Sequence, residues 1–200
     1  MKRLLFAAAA AVCVAAGALC PATDADAAAL RLFNFHAGAF DNAVTGGAAH
    51  YYLTYTLENA GSEARKPPLR IELRTETSKT YGDHAHGATS AAAQKAQDHD
   101  AAYKSASEIR SADLGAGAKV DGLAHFGRID PNADDLEVRV YGLWDPVVRD
   151  RKGRAWSERR VMVLKYRRIG DEYNRQDDPI KLVSTSNELE GEPVLLYGGE

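Results

Sequence analysis

Residues 51–59 read YYLTYTLEN, and this stretch carries the clearest structural signal of the chain. Every odd-numbered residue from 51 to 57 is Tyr or Leu, whereas Thr and Glu occupy most of the even positions. A repeat of two residues predicts a β-strand with one buried face. The sequence NAGS at 59–62 then supplies a turn.

The same pattern recurs elsewhere in the chain. Residues 69–76 read LRIELRTE after two prolines that prevent a helix, and residues 136–141 read LEVRVY after the turn sequence DPNA at 130–133. Both alternate apolar and charged residues, which predicts strands with one wet face. Weaker strand candidates span residues 30–36, 120–129, 161–166 and 179–185.

About seven short strands separated by Gly, Asn, Asp and Pro predict a mainly β domain. The strands do not alternate with long helices, which favours an antiparallel immunoglobulin-like β-sandwich; a small barrel is the alternative. One segment departs from the pattern. Residues 87–107 are rich in Ala, Gln and Lys, and they predict a short helical insertion that Ser90 caps.

Two of the predicted strand segments resemble exported bacterial immunoglobulin-like or fibronectin-like modules. The first is YYLTYTLENAG at 51–61, and the second is FGRID at 126–130 leading into LEVRVYGL at 136–143. The cysteine pair and core tryptophan of antibody domains have no counterparts at matching spacing. The resemblance implies a sandwich fold and a module that binds or spaces, and it implies no catalytic residues.

The amino terminus predicts export. A basic start at 1–3, an apolar run at 4–19 and the sequence ADA at 25–27 are typical of a signal peptide over residues 1–27. Its removal would take away both cysteines, Cys13 and Cys20, and leave a domain without disulfide or thiolate chemistry. We expect a periplasmic or extracellular protein, with the β-sandwich at 28–186 and an acidic tail at 187–200.

Histidines beside the helical insertion indicate a metal site. His84 and His86 precede the insertion and His99 follows its alanine-rich part, and Asp83, Asp98 and Asp100 are adjacent to His84 and His99. Imidazole and carboxylate ligands suit zinc, copper or nickel. The alternative is that these residues are polar parts of exposed loops, with His99 near a helix end, where histidine is favourable.

A basic segment indicates a possible contact surface. Basic residues predominate from 149 to 168, and Arg151, Lys152 and Arg154 lie around a predicted hairpin turn that is suited to anionic cell-envelope polymers or lipid headgroups. Alternatively, the acidic residues that follow neutralise this segment within the molecule. The net charge of −3 and the absence of known reader motifs argue against nucleic acid as a partner.

The search for catalytic motifs is negative. The sequence has no G-x-S-x-G elbow, phosphate loop, dinucleotide fingerprint or H-E-x-x-H helix. We therefore expect a non-catalytic exported protein that acts through protein or cell-envelope contacts and spans no membrane after signal cleavage. The alternative is a periplasmic metal-binding protein that uses the His/Asp cluster.

Overall fold

A computed structural model describes residues 29–100, 102–149, 154–168 and 180–197. Within these ranges the chain forms eleven strands and two helices. The strands are β1 (Phe33–Thr45), β2 (Ala48–Asn59), β3 (Arg70–Thr75), β4 (Thr80–Gly82), β5 (Lys119–Gly127), β6 (Asp135–Tyr141), β7 (Val147–Arg149), β8 (Ala155–Ser157), β9 (Arg160–Arg168), β10 (Ile180–Leu189) and β11 (Val194–Tyr197). The helices are α1 (Gly87–Ala96) and α2 (Ala106–Ser111).

The strands form antiparallel sheets, so the predicted mainly β class is confirmed. One sheet has the order β1-β2-β5, a larger one has the order β10-β9-β6-β3-β4, and a small one has the order β11-β8-β7. Each of the seven segments predicted as strands overlaps a strand of the structure. The predicted signal peptide at 1–27 lies outside the described residues.

The two larger sheets share one apolar core. Leu53 and Leu57 of β2 belong to the same buried cluster as Leu73 of β3, Val138 of β6 and Leu164 of β9. All five side chains are nearly inaccessible to solvent. Their burial is the consequence of the alternation in the sequence, because successive residues of a strand point to opposite faces.

The helical insertion differs from the prediction. It contains two helices, and the imidazole of His86, not Ser90, caps α1 by accepting a hydrogen bond from the Thr89 backbone N–H. The second helix begins with a capping box between Ser105 and Glu108. The prediction missed α2 because its signal is a short local motif and not a run of strong helix formers.

Strands β10 and β11 occupy much of the region predicted as an acidic tail from residue 187. The acidic residues there pair with basic residues of the larger sheet: Arg139 lies 3.5 Å from Glu188 and 3.7 Å from Glu190. The Tyr141 hydroxyl also donates to Glu190 at 2.9 Å. Charge neutralisation thus allows the acidic segment to lie along the sheet.

The turn predicted at 130–133 is held by the carboxylate of Asp130. One oxygen accepts the Asn132 backbone N–H at 2.9 Å, which is the hydrogen bond of an Asx turn. The other oxygen accepts from the Thr77 hydroxyl at 2.9 Å and lies 2.8 Å from Lys79 Nζ. These bonds lower the pKa of Asp130 from 3.8 to about 2, with that from Lys79 contributing most.

This pKa predicts how stability changes in acid. Because the folded-state pKa lies below that of the unfolded chain, the unfolded state takes up the proton first as the pH falls. The stabilisation by Asp130 is present above about pH 4 and is lost between about pH 4 and 2. Urea unfolding from pH 7 to 2 should show a smaller acid-dependent loss in Asp130→Asn.

The exposed Asp113 provides the matched control, and Asp113→Asn should preserve the wild-type profile. Identical pH profiles for Asp130→Asn and the wild-type protein would contradict this account of the turn.

Candidate functional site

Four histidines from three parts of the chain meet on the outer face of the sheet formed by β1, β2 and β5. His125 lies in β5 and His50 in β2, while His84 and His86 lie between β4 and α1. In the β2–β5 pairing, His125 is opposite Tyr52. His50 precedes Tyr52 by two residues and therefore shares its face of the sheet. Helix α1 packs on this face, which brings His86 onto the two strands.

Three of the rings form a compact triangle. The ring centroids are 5.0 Å apart for His50 and His86, 4.7 Å for His86 and His125, and 5.5 Å for His50 and His125. A column of three stacked rings would separate its outer pair by about 9 Å, so these rings do not form a column. Three imidazoles around one tetrahedral ion would have centroids about 5.2 Å apart, given metal–nitrogen bonds of about 2.05 Å.

The ring nitrogens also lie close together. His50 Nδ1 is 3.3 Å from His125 Nε2, and about 3.3 Å is the distance between two nitrogens bound to one tetrahedral zinc ion. One nitrogen from each of His50, His86 and His125 can be chosen so that all three lie within 4.8 Å of one another. The three rings are nearly parallel, with interplanar angles of 11–12°, so binding one tetrahedral ion requires rotation about χ2. This torsion is soft for histidine, and its rotation turns a nitrogen towards the centre with little movement of the centroid.

Burial favours the neutral forms of His125 and His50. His125 is only 1% exposed, and burial, followed by the nearby His84 and His86, lowers the pKa of His125 to about 4. Burial and then His86 also lower the pKa of His50. Within the described chain, Nδ1 of His125 is a buried polar atom without a hydrogen-bond partner. Neutral imidazoles have the lone pair that binding to a metal ion requires.

Asp83 and His84 hold β5 against the segment that carries His86. The Asp83 carboxylate accepts the His125 backbone N–H at 2.9 Å, and the His84 N–H donates to the His125 carbonyl at 3.2 Å. The ring of His84 meets the ring of His125 edge to face, with centroids 4.3 Å apart. Burial raises the pKa of Asp83, and hydrogen bonds from backbone N–H groups to its carboxylate oppose this increase.

A cleft of about 380 Å³ borders the cluster. His84 and His86 lie along it, together with Ser90 and Tyr103. The cleft gives small solutes a path to the edge of the histidine triangle, and a metal site needs such a path.

The predicted metal ligands were His84, His86 and His99. The structure places His86 in the triangle and His84 against its edge, but His99 lies at the other end of α1. There His99 Nε2 is 3.2 Å from Asp121 Oδ2. Asp121 and His125 are four residues apart on one strand, which corresponds to about 13 Å, so His99 does not join this group.

His50 and His125 were not among the predicted metal ligands. Both lie in or beside segments that were predicted as strands, where a single histidine carries no spacing motif. The available signal was the face of the strand: His125 alternates with Ala124 and Phe126 and therefore points away from the core. That pattern does not indicate which strand lies beside β5.

The predicted surface residues are described only in part. Arg151 and Lys152 lie outside the described residues. The guanidinium of Arg154 is 5.7 Å from the centre of the Trp156 ring. The flanking strands β7 and β8 pair with each other, and Arg149 is opposite Ala155.

Comparisons with family models, curated proteins and solved structures give no significant match. In the described part of the chain, neither helix has the length and apolar character needed to cross a membrane.

Proposed function

We propose that this protein binds a divalent transition metal through His50, His86 and His125. The observation that supports this most strongly is the triangle of three imidazoles, with centroids 4.7–5.5 Å apart. Three protein ligands and one open position are typical of zinc sites that bind a further ligand. The function therefore corresponds to the second of the two alternatives that the sequence left open, with a different set of ligands.

The ligand type favours zinc, copper or nickel over calcium or magnesium. Imidazole nitrogen binds the later transition metals well, whereas calcium and magnesium take oxygen ligands. The triangle itself consists only of histidines, and the nearby carboxylate of Asp83 is committed to the backbone of β5. An all-imidazole site thus selects against the hard cations.

We also propose that the domain is an immunoglobulin-like sandwich with an added edge strand and a helical insertion. The orders β1-β2-β5 and β9-β6-β3-β4 support this, because they match strands A-B-E and G-F-C-C′ of that fold. In this arrangement α1 and α2 lie between C′ and E. The signal-like residues 1–27 support export, which would expose the site to metal outside the cytoplasm.

Isothermal titration of the tag-free protein with zinc, copper and nickel tests the metal site. We expect saturable binding of one ion per chain at micromolar metal or below. His50→Ala and His86→Ala should each weaken binding by at least about 100-fold, since loss of a ligand should cost at least as much as loss of a group that orients one. At 100 times the dissociation constant, metal should stabilise the fold by about 2.7 kcal/mol.

His36→Ala and His99→Ala are the matched controls, because both residues lie outside the triangle. They should bind metal as the wild-type protein does. The proposal fails if no metal saturates the protein, or if the control substitutions weaken binding as much as those at His50 and His86.

A contact function is the second candidate, and the pairing of β7 with β8 favours it. Strands β7 and β8 are antiparallel neighbours, and the sequence between them contains Arg151, Lys152 and Arg154. We propose that this basic segment docks on anionic cell-envelope polymers or lipid headgroups.

Changing Arg151, Lys152 and Arg154 to Glu should abolish retention on phosphatidylglycerol vesicles at low salt, because the surface charge is reversed. Wild-type retention should fall as salt rises from 10 to 300 mM, about the range over which the Debye length shrinks from 30 Å to below 8 Å. Cosedimentation measures both. Equal retention of the two proteins would refute the docking role.

A further inference from the structure

The imidazole of His86 has a second role, because it begins helix α1. Its Nδ1 accepts the Thr89 backbone N–H at 3.2 Å and lies 2.7 Å from the Thr89 hydroxyl oxygen. A backbone N–H can only donate, so Nδ1 carries the lone pair in this arrangement. The proton of the neutral ring is then on Nε2.

The capping hydrogen bond to Nδ1 is incompatible with metal binding by His86. A metal ion at Nε2 needs the lone pair there, which moves the ring proton to Nδ1. A metal ion at Nδ1 would occupy the lone pair that now accepts from Thr89. In either case, the Thr89 backbone N–H loses its side-chain acceptor, and α1 loses its cap.

The Thr89 hydroxyl favours a metal ion at Nε2 of His86 over one at Nδ1. Its oxygen can accept a hydrogen bond from Nδ1–H at the present 2.7 Å, since a hydroxyl both donates and accepts. Metal-bound histidines usually donate their other ring N–H to an oxygen in this way. Thr89 is fully buried, so the protein holds this oxygen in place.

We propose that metal binding switches His86 from the Nε2–H to the Nδ1–H tautomer and makes Thr89 Oγ1 the acceptor that positions the ligand. The inference rests on the proposed metal function. The switch replaces the cap of α1 with a hydrogen bond that orients the metal ligand. Occupancy of the metal site is therefore coupled to the stability of the first turn of α1. The rest of α1 stays in place, because Ala93 packs with Tyr52 and Leu123.

The coupling has a measurable size. Loss of a cap corresponds to about a 2- to 30-fold change in an equilibrium constant. The Thr89 amide should therefore exchange its hydrogen at least about 2-fold faster when zinc is bound. Because such coupling is reciprocal, the hydrogen bond from the Thr89 backbone N–H to His86 should lower the zinc affinity by the same factor.

Nitrogen-15 NMR of the labelled protein tests the switch directly, with zinc as the diamagnetic probe. Long-range correlations to the ring nitrogens should place the His86 proton on Nε2 without zinc and on Nδ1 with zinc. Amide exchange at Thr89 should accelerate in the same samples. This measurement needs no substitution, so it does not depend on how a variant folds.

Substitution of Thr89 tests the positioning role. Thr89→Val keeps the shape and the backbone N–H but removes the acceptor oxygen, and it should weaken zinc binding by about 10-fold or more. Thr89→Ser should restore most of the affinity. The exposed Thr80 is the matched control, and Thr80→Val should bind zinc normally.

The outcomes separate the two proposals. If zinc shifts the His50 and His125 resonances while His86 keeps its proton on Nε2, or if Thr89→Val binds zinc as tightly as the wild-type protein, the switch is refuted and the metal site stands. If zinc does not bind, both proposals are refuted.

Discussion

The antiparallel pairing of β2 with β5 is the interaction on which both the fold and the site depend. On its inner face, Leu53 and Leu57 enter the core between the sheets. On its outer face, Tyr52 is opposite His125; α1 packs against Tyr52, and the rings of His84 and His86 lie against His125. A strand covered on both sides can hold a polar side chain out of water, and β5 does so with His125. The β2–β5 pairing therefore fixes the position of His125 on the sheet.

Burying an imidazole in this way has a cost, which the structure offsets only in part. His125 has one ring nitrogen 3.3 Å from His50 Nδ1, whereas its own Nδ1 has no partner among the described residues. A buried polar atom without a hydrogen bond costs about 1–3 kcal/mol, so a cluster that existed only for packing would be better served by an apolar residue. The proposed metal binding would give the three rings a role that packing alone does not. In the proposed switch, His86 serves the helix through Nδ1 or an ion through Nε2, because a neutral imidazole has a free lone pair on only one ring nitrogen.

Much of the fold could be predicted from the sequence, because strand periodicity is a local property. The alternation in residues 51–58 and 136–141 predicted β2 and β6, whose inner residues the structure buries. The site was harder, because strand pairing brings residues together that are distant in the chain. His86 was identified from its neighbours in sequence, whereas His50 and His125 are 75 residues apart and meet through the β2–β5 register. His99 was assigned to the same site because the length and direction of α1 were unknown. In the structure, α1 carries the chain away from His125 before His99 is reached.

X-ray absorption at the zinc edge is the most direct test of the three-histidine site. The protein loaded with one equivalent of zinc should show a first shell at about 2.0 Å, with the outer-shell scattering of three imidazoles. His50→Ala should reduce that number to two, while His99→Ala should leave it at three. A first shell of oxygen with one imidazole or none, or an unchanged spectrum in His50→Ala, would contradict the account.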